Sequence, residues 1–311
     1  MKVAVCVSGS LRQFKTCHPH LKEYFFGLEG VEYDFFLSTW DSKVPHEKVD
    51  FRDEGTFEEL LDLYKPKKYN LEVYDDKKRE ELAELSGLNE YQKIRCADYT
   101  RQNNNLSYKD WVTGGTIAHN IVGMFYNIYQ ANKLKCEYEK EKGFKYDICM
   151  RLRFDGWVDN GNPITKKQLQ DVKDGQIVVA KGRWNKAIHQ PWRFGPDDKF
   201  AMGKSHDMDC YSSVFKDFRQ IIDFYATQYG YFPITHGCIV RTCQIYDIAV
   251  ATIKMAVDVY YKAITKITLG HGNIKENEFP WQGCPRDSAE YKRIQEEIGR
   301  IKNWSDVRKE V

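Results

Sequence analysis

The chain has 311 residues, 42% of them hydrophobic and 14% aromatic, enough to fill the core of one large domain or of two closely packed ones. Its 47 basic and 45 acidic residues nearly cancel, which excludes a molecule that gathers polyanions over its whole surface and leaves any nucleic-acid role to a local patch. An odd count of nine cysteines with no C-x-x-C pair argues against a disulfide framework and for a reducing, cytoplasmic setting.

The opening Val3 to Val7 is too short for the apolar region of a signal peptide and is closed by Gly9, the pattern of a parallel strand buried on both faces. Leu21, Tyr24, Phe25 and Leu28 then keep helical spacing, and Tyr33 to Trp40 reads as a second strand. The chain therefore opens β-α-β, the start of a nucleotide-binding type of sheet. Tyr69 to Tyr74 predicts a third strand and Lys77 to Leu85 a short charged helix, while the polar, Asn-rich stretch from Ile94 to Asp110 predicts a long functional loop.

From Gly115 onward Ile117, Ile121, Met124, Phe125, Ile128, Ala131 and Leu134 recur at steps of three and four, and Gly143 stands where such a helix should stop. The charge run from Lys135 to Lys142 predicts a solvated face. Tyr146 to Phe154 and Gln176 to Ala180 predict two further strands, and the segments His206 to Tyr229 and Gln244 to Ile267 predict helices. No run approaches the roughly 18 apolar residues of a transmembrane helix, and no composition break marks a linker.

The chemistry concentrates in Tyr146 to Asp155. A period of two puts Ile148, Met150, Leu152 and Phe154 on one face and Cys149, Arg151, Arg153 and Asp155 on the other. Two arginines and a carboxylate thus reach the carboxyl end of a strand, where open α/β sheets bind their ligands. Guanidinium forks hold phosphate oxygens in pairs, and a hard divalent ion bridging a diphosphate needs one or two protein carboxylates. Arg151 and Arg153 are therefore candidate phosphate ligands and Asp155 a candidate metal ligand, with a buried Arg–Asp structural pair as the alternative.

Other candidates are less specific. Ser8-Gly9-Ser10-Leu11-Arg12 follows the first strand, where a glycine lets backbone amides approach a ligand and Arg12 can reach a phosphate, although an ordinary turn has the same composition. Asp197 and Asp198 precede an apolar run ending at Gly203; paired acids can hold a hydroxyl, act as a base or bind metal, or they can simply be solvated in a turn. His236 and His271 belong to no spaced metal motif, and Trp184, Trp192 and Trp281 suit stacking or core packing alike. Lys65-Pro66-Lys67-Lys68 and Lys77-Lys78-Arg79 are too short to form a groove that tracks phosphates.

The opening Val3 to Arg12, the helix Met124 to Asn132, the strand Tyr146 to Asp155 and the run Asp198 to Gly203, in that order, resemble a group of bacterial and viral glycosyltransferase-like proteins related to the WavE type of lipopolysaccharide-synthesis enzymes. The resemblance covers roughly residues 1–215. It implies an α/β, GT-A-like (Rossmann-like) fold, with a mainly parallel central sheet flanked by helices and a largely helical C-terminal part. On it, residues 1–230 form the nucleotide-sugar-binding and catalytic region and residues 231–311 a mainly helical extension packed on the same domain. It implies further a nucleotide-diphosphate sugar donor, hexosyl or pentosyl transfer to a hydroxyl of a glycan, lipid-linked sugar or protein, and Mn²⁺ or Mg²⁺ held where other GT-A enzymes use Asp-x-Asp. Here Arg153 takes the first position of that motif and Asp155 the last. Ser8, Gly9, Ser10, Arg12, Arg151 and Arg153 would bind the donor, and Asp198 or Asp197 would act as base. The alternatives are a viral enzyme of the host cytoplasm with DNA bases as acceptors, a non-catalytic nucleotide or glycan binder, and a nucleotidyltransferase.

Overall fold

Every residue from Val3 to Ser8 in the first strand, β1 (Lys2–Gly9), is buried, because the strand lies between two neighbours with helices over both faces. The computed structural model describes residues 1–11, 13–41, 55–88, 115–180, 198–229, 235–253 and 256–259, all within one compact unit. Helix α1 (Phe14–Leu21) contains Pro19 and runs into a π-helical turn, Lys22–Phe26, an irregularity expected where proline removes an amide donor. After β2 (Glu32–Trp40) comes α2 (Phe57–Tyr64), opened by a capping box in which Thr56 Oγ1 accepts from the Glu59 amide at 3.2 Å and Glu59 Oε2 from the Thr56 amide at 2.7 Å. β3 (Lys68–Glu72) and α3 (Asp76–Leu85), capped by Asp75, follow. The long α4 (Gly115–Lys142) stops at Gly143, whose φ of 69° favours glycine.

Beyond it lie β4 (Ile148–Leu152), β5 (Gly156–Asn160), α5 (Lys166–Gln170), β6 (Gln176–Ala180) and β7 (Ala201–Gly203). They are followed by α6 (Ser205–Ser212), α7 (Val214–Tyr229), α8 (Thr235–Ile245), β8 (Ala249–Ile253) and β9 (Ala256–Val259). The central sheet has the order β3-β2-β1-β4-β7-β6-β8, and a separate ribbon pairs β5 with β9. Strands β3, β2, β1 and β4 are mutually parallel, as are β6 and β8; β7 runs against both of its neighbours. The architecture is the expected α/β fold, a mainly parallel sheet between helical layers. That one reversed strand sets the geometry of the site, since the residues that precede it lie at the carboxyl end of β4.

Two apolar layers sandwich the sheet. Ala4, Cys6, Phe36, Cys149 and Ala201 face α3, α4, α6, α7 and α8. Val5, Leu37, Met150, Leu152 and Met202 face α1, α2 and α5. The division of β4 between Cys149 on one side and Ile148, Met150, Leu152 and Phe154 on the other is the alternation the sequence predicts. Each fully buried Val, Leu, Ile, Met or Phe side chain among them contributes about 1.5–3 kcal/mol.

Two expectations are corrected. The helix anticipated over Gln244 to Ile267 is confined to the end of α8, and the chain then forms β8 and β9, so the described part of the C-terminal region is not wholly helical. In β8 Val250 packs on one apolar layer and Ala251 and Ile253 on the other, and the strand completes the sheet beside β6 in the register Val178↔Ala251. The charge run Lys135 to Lys142 is not a purely solvated face either: Lys135 is 0% and Glu139 1% exposed, because α6 packs over this turn of α4 and supplies polar partners. The stretch Ile94 to Asp110 lies outside the described residues, as do Trp184, Trp192, Trp281, His271 and the side chain of His236.

Candidate active site

Because β3, β2, β1 and β4 are parallel, their carboxyl ends form one edge. The register Val7↔Leu152 and Gly9↔Thr39 sets the Ser8–Gly9 end of β1 between Thr39 and the Arg153 that follows β4. Gly9 has a φ of 131°, and a Cβ there would meet nothing within 4 Å, so the backbone conformation rather than the space requires glycine. Its carbonyl accepts from Thr39 Oγ1 at 2.7 Å, which fixes the turn. Ser8 is buried and Ser10 half-buried, while Arg12 lies outside the described residues.

Immediately after β4 the chain turns, with the Gly156 amide donating to the Arg153 carbonyl at 3.3 Å. The turn folds Arg153 onto Asp155. Arg153 Nε donates to Asp155 Oδ1 at 2.7 Å and Nη2 to Oδ2 at 3.0 Å, a two-pronged pair around a carboxylate only 1% exposed. The Arg153 side chain itself is 11% exposed, so it is the part of the pair that meets solvent.

Arg151 is 1% exposed and donates from Nη1 to the Lys199 carbonyl at 2.8 Å; its Nε and Nη2 have no acceptor among the described residues. Burial pulls its pKa below the usual guanidinium value; Tyr211, Asp198 and Asp155 oppose that shift, and Arg153 adds to it. Asp198 comes into this field because antiparallel β7 pairs Ala201 with Arg151, which carries the preceding residues to the carboxyl end of β4. Asp198 is 9% exposed, while Asp197 lies outside the described residues. The strand-end arginines, Asp155, Asp198 and the Ser8–Gly9 turn therefore meet along one edge of the sheet, which composition alone could not establish.

A divalent ion bound to Asp155 would compete with Arg153 for both carboxylate oxygens and would sit against a guanidinium. The donor set suits an anion held by arginine better than a metal held by carboxylates.

The same edge holds a group that the sequence reading missed. Glu72, ending β3, accepts from Asn70 Nδ2 at 2.7 Å and Tyr126 OH at 2.8 Å and pairs with Lys78 Nζ at 2.7 Å. Burial alone would raise its pKa, but the bonds from Lys78, Asn70 and Tyr126 outweigh it and hold the carboxyl below its ordinary value. Trp40, at the end of β2, stacks on Tyr126 with ring centroids 5.5 Å apart. Beside them Ser38 donates to buried Asn127 Oδ1 at 2.7 Å. The available signal was the polar Asn70 and Glu72 ending an otherwise ordinary strand.

At the opposite edge Cys136, Glu139 and Asp209 bring three ligand atoms within 4.8 Å of one another, a group that could hold a metal ion. Lys135 Nζ is already there, 2.6 Å from Asp209 Oδ1 and 3.4 Å from Glu139 Oε2, and it donates to Ser205 Oγ at 2.6 Å. Glu139 also accepts from the Tyr146 amide at 3.0 Å and from Lys145 Nζ at 2.7 Å. Burial would raise the pKa of Asp209, but Lys135 outweighs it and holds the carboxyl low. The ammonium thus serves as the cation of this cluster. Tyr146 precedes β4 and Ser205 follows β7, which places the cluster at the amino end of β4, away from Asp155.

No protein-family model and no curated protein matches the chain. Among solved structures it is similar to a candidate nucleotide-diphospho-sugar transferase from Desulfovibrio desulfuricans G20, at 10% identity over 97% of each chain with a TM-score of 0.38. It is also similar to mouse xyloside xylosyltransferase 1 in its apo form, at 10% identity over 81% of this chain and 85% of that one, with a TM-score of 0.40. Both likenesses are loose, and the chemistry of the site rests on its own residues.

Proposed function

We propose that the protein is a glycosyltransferase that moves a hexosyl or pentosyl group from a nucleotide-diphosphate sugar to a hydroxyl acceptor. The observation that carries this reading is the convergence of Arg151, Arg153, Asp155, Asp198 and the Ser8–Gly9 turn at the carboxyl edge of a mainly parallel sheet. Sugar transfer breaks the bond between the anomeric carbon and a departing diphosphate, so negative charge grows on the leaving oxygens. Guanidinium groups held in place beforehand stabilise that charge without reorganising. In an inverting transfer Asp198 takes the acceptor hydroxyl proton as the new glycosidic bond forms. Asp198 is 9% exposed and lies close enough to Arg151 to act on its charge, which sets a carboxylate beside the arginines at the strand end.

The basic clusters give no support to a nucleic-acid acceptor. Lys67 pairs with Asp34, Lys68 with Glu137 and Glu141, Lys78 with Glu72 and Glu81, and Arg79 with Asp76, so four of their six basic side chains have acidic partners within the protein. A glycan, lipid-linked sugar or protein hydroxyl is the acceptor class proposed. No helix among the described residues is long and apolar enough to cross a membrane.

The test is product analysis with a panel of nucleotide sugars. Release of a nucleoside diphosphate together with a glycosylated acceptor is the expected result, and Asp198→Asn should lower kcat by about 100- to 10,000-fold while donor affinity changes little. Release of pyrophosphate would replace the reading with nucleotidyl transfer; donor binding without turnover on any acceptor would make the protein a binder.

A further inference from the structure

The Arg153–Asp155 pair has a consequence for how a donor is held. Two oxygens of one buried carboxylate face two nitrogens of one guanidinium at 2.7 and 3.0 Å. A divalent cation bridging a diphosphate performs two tasks: it neutralises the phosphates, and it is itself anchored by a protein carboxylate. Arg153 is already anchored by the carboxylate, carries a permanent positive charge, and exposes part of its side chain to solvent. Arg151 adds a second positive charge, with two nitrogens that find no acceptor among the described residues. A buried donor left unmatched is costly, and a phosphate oxygen is the acceptor best suited to it.

We propose that Arg153, oriented by Asp155, occupies the functional place of the divalent metal, so that this chain binds its donor diphosphate without one. The inference rests on the transferase reading above and makes it more specific. Asp155 becomes a positioning residue for Arg153 instead of a metal ligand. The Cys136–Glu139–Asp209 group does not supply the ion in its stead, since Lys135 occupies it and it lies at the other end of β4.

The experiment is calorimetric titration of the full chain with UDP, GDP, ADP and CDP, each in excess EDTA and again in millimolar Mn²⁺, using the nucleotide that binds best for the variants. The expected result is the same affinity in both buffers. Arg153→Lys, which keeps the charge but not the fork, should weaken binding about 10- to 100-fold in both, with a melting temperature near that of the wild type as the control for folding. Arg153→Asp, which places two carboxylates at the strand end, should bind only when Mn²⁺ is present. Binding by the wild type that appears with Mn²⁺ and vanishes in EDTA would overturn the inference and leave the transferase reading standing with Asp155 as metal ligand. Absence of binding by any of the four nucleotides in either buffer would remove the transferase reading and this inference with it.

Discussion

Replacing Lys135 by methionine removes the one ammonium buried between α4 and α6 while keeping most of its volume. The wild-type Nζ holds Asp209 at 2.6 Å, Ser205 at 2.6 Å and Glu139 at 3.4 Å, and it is fully buried. Breaking a buried pair by deleting one partner costs about 3–5 kcal/mol, because the other charge stays behind without compensation. Glu139 keeps Lys145, Ser205 and the Tyr146 amide as donors, and Asp209 keeps Asn132 Nδ2 at 2.9 Å, so the cost should fall near the lower limit, about 3 kcal/mol. At about 2–4 °C per kcal/mol for a domain of this size, the melting temperature should drop by about 6–12 °C. Urea unfolding measures the free energy directly, and an unchanged m-value would show that the native and denatured states are otherwise alike. A loss below about 1 kcal/mol would refute the lysine-centred network. So would a wild-type melting temperature that rises with Zn²⁺ or Mn²⁺ and a Lys135→Met variant that rises further, since the cluster would then be a metal site with lysine as its competitor.

Two further perturbations follow from the same geometry. Asp155→Asn should cost about 2–4 kcal/mol in urea unfolding as well as donor binding, because it puts an amide against a guanidinium that loses two charge-assisted bonds; a stability equal to wild type would mean that the pair contributes nothing to the fold. His18, packed edge-on to Tyr64 at 4.6 Å, has its pKa lowered from 6.5 to about 4, first by burial and then by Lys22. Its folded pKa lies below its unfolded one, so the unfolded chain binds more protons in between. The contribution is complete above pH 6.5 and is lost as the pH falls towards about 4. Melting curves across that window should fall more steeply for the wild type than for His18→Gln; parallel curves would exclude His18 as the source.

Much of the fold was legible because local and global demands coincide. Buried parallel strands announce themselves as apolar runs, and β1, β2 and β6 were readable on that ground. The helix α4 was readable from its three- and four-residue steps and from Gly143. Other signals were present but unread: Thr56 with Glu59 and Thr165 with Gln168 are capping boxes that open α2 and α5. Strands β8 and β9 were mistaken for helix because a short apolar run does not fix its own period; β6 beside β8 and β5 beside β9 decide it.

The site was legible as residues and not as a place. Arg151, Arg153 and Asp155 share a strand end, so their proximity follows from a period of two and a turn. Asp198 is 43 residues beyond Asp155 in the sequence, and nothing local says that β7 runs backwards between β4 and β6. Only the pairing of Ala201 with Arg151 brings it to the arginines. The same limit explains why two charged runs of similar composition were assigned opposite fates. Lys135 to Lys142 looked solvated because a helix surface usually is, yet α6 covers Lys135 and Glu139. Arg151 to Asp155 looked like a metal site because a carboxylate at a strand end often is, yet the neighbouring guanidinium reaches that carboxylate first. In both runs the meaning of a charge is set by which opposite charge the fold brings within 3 Å of it.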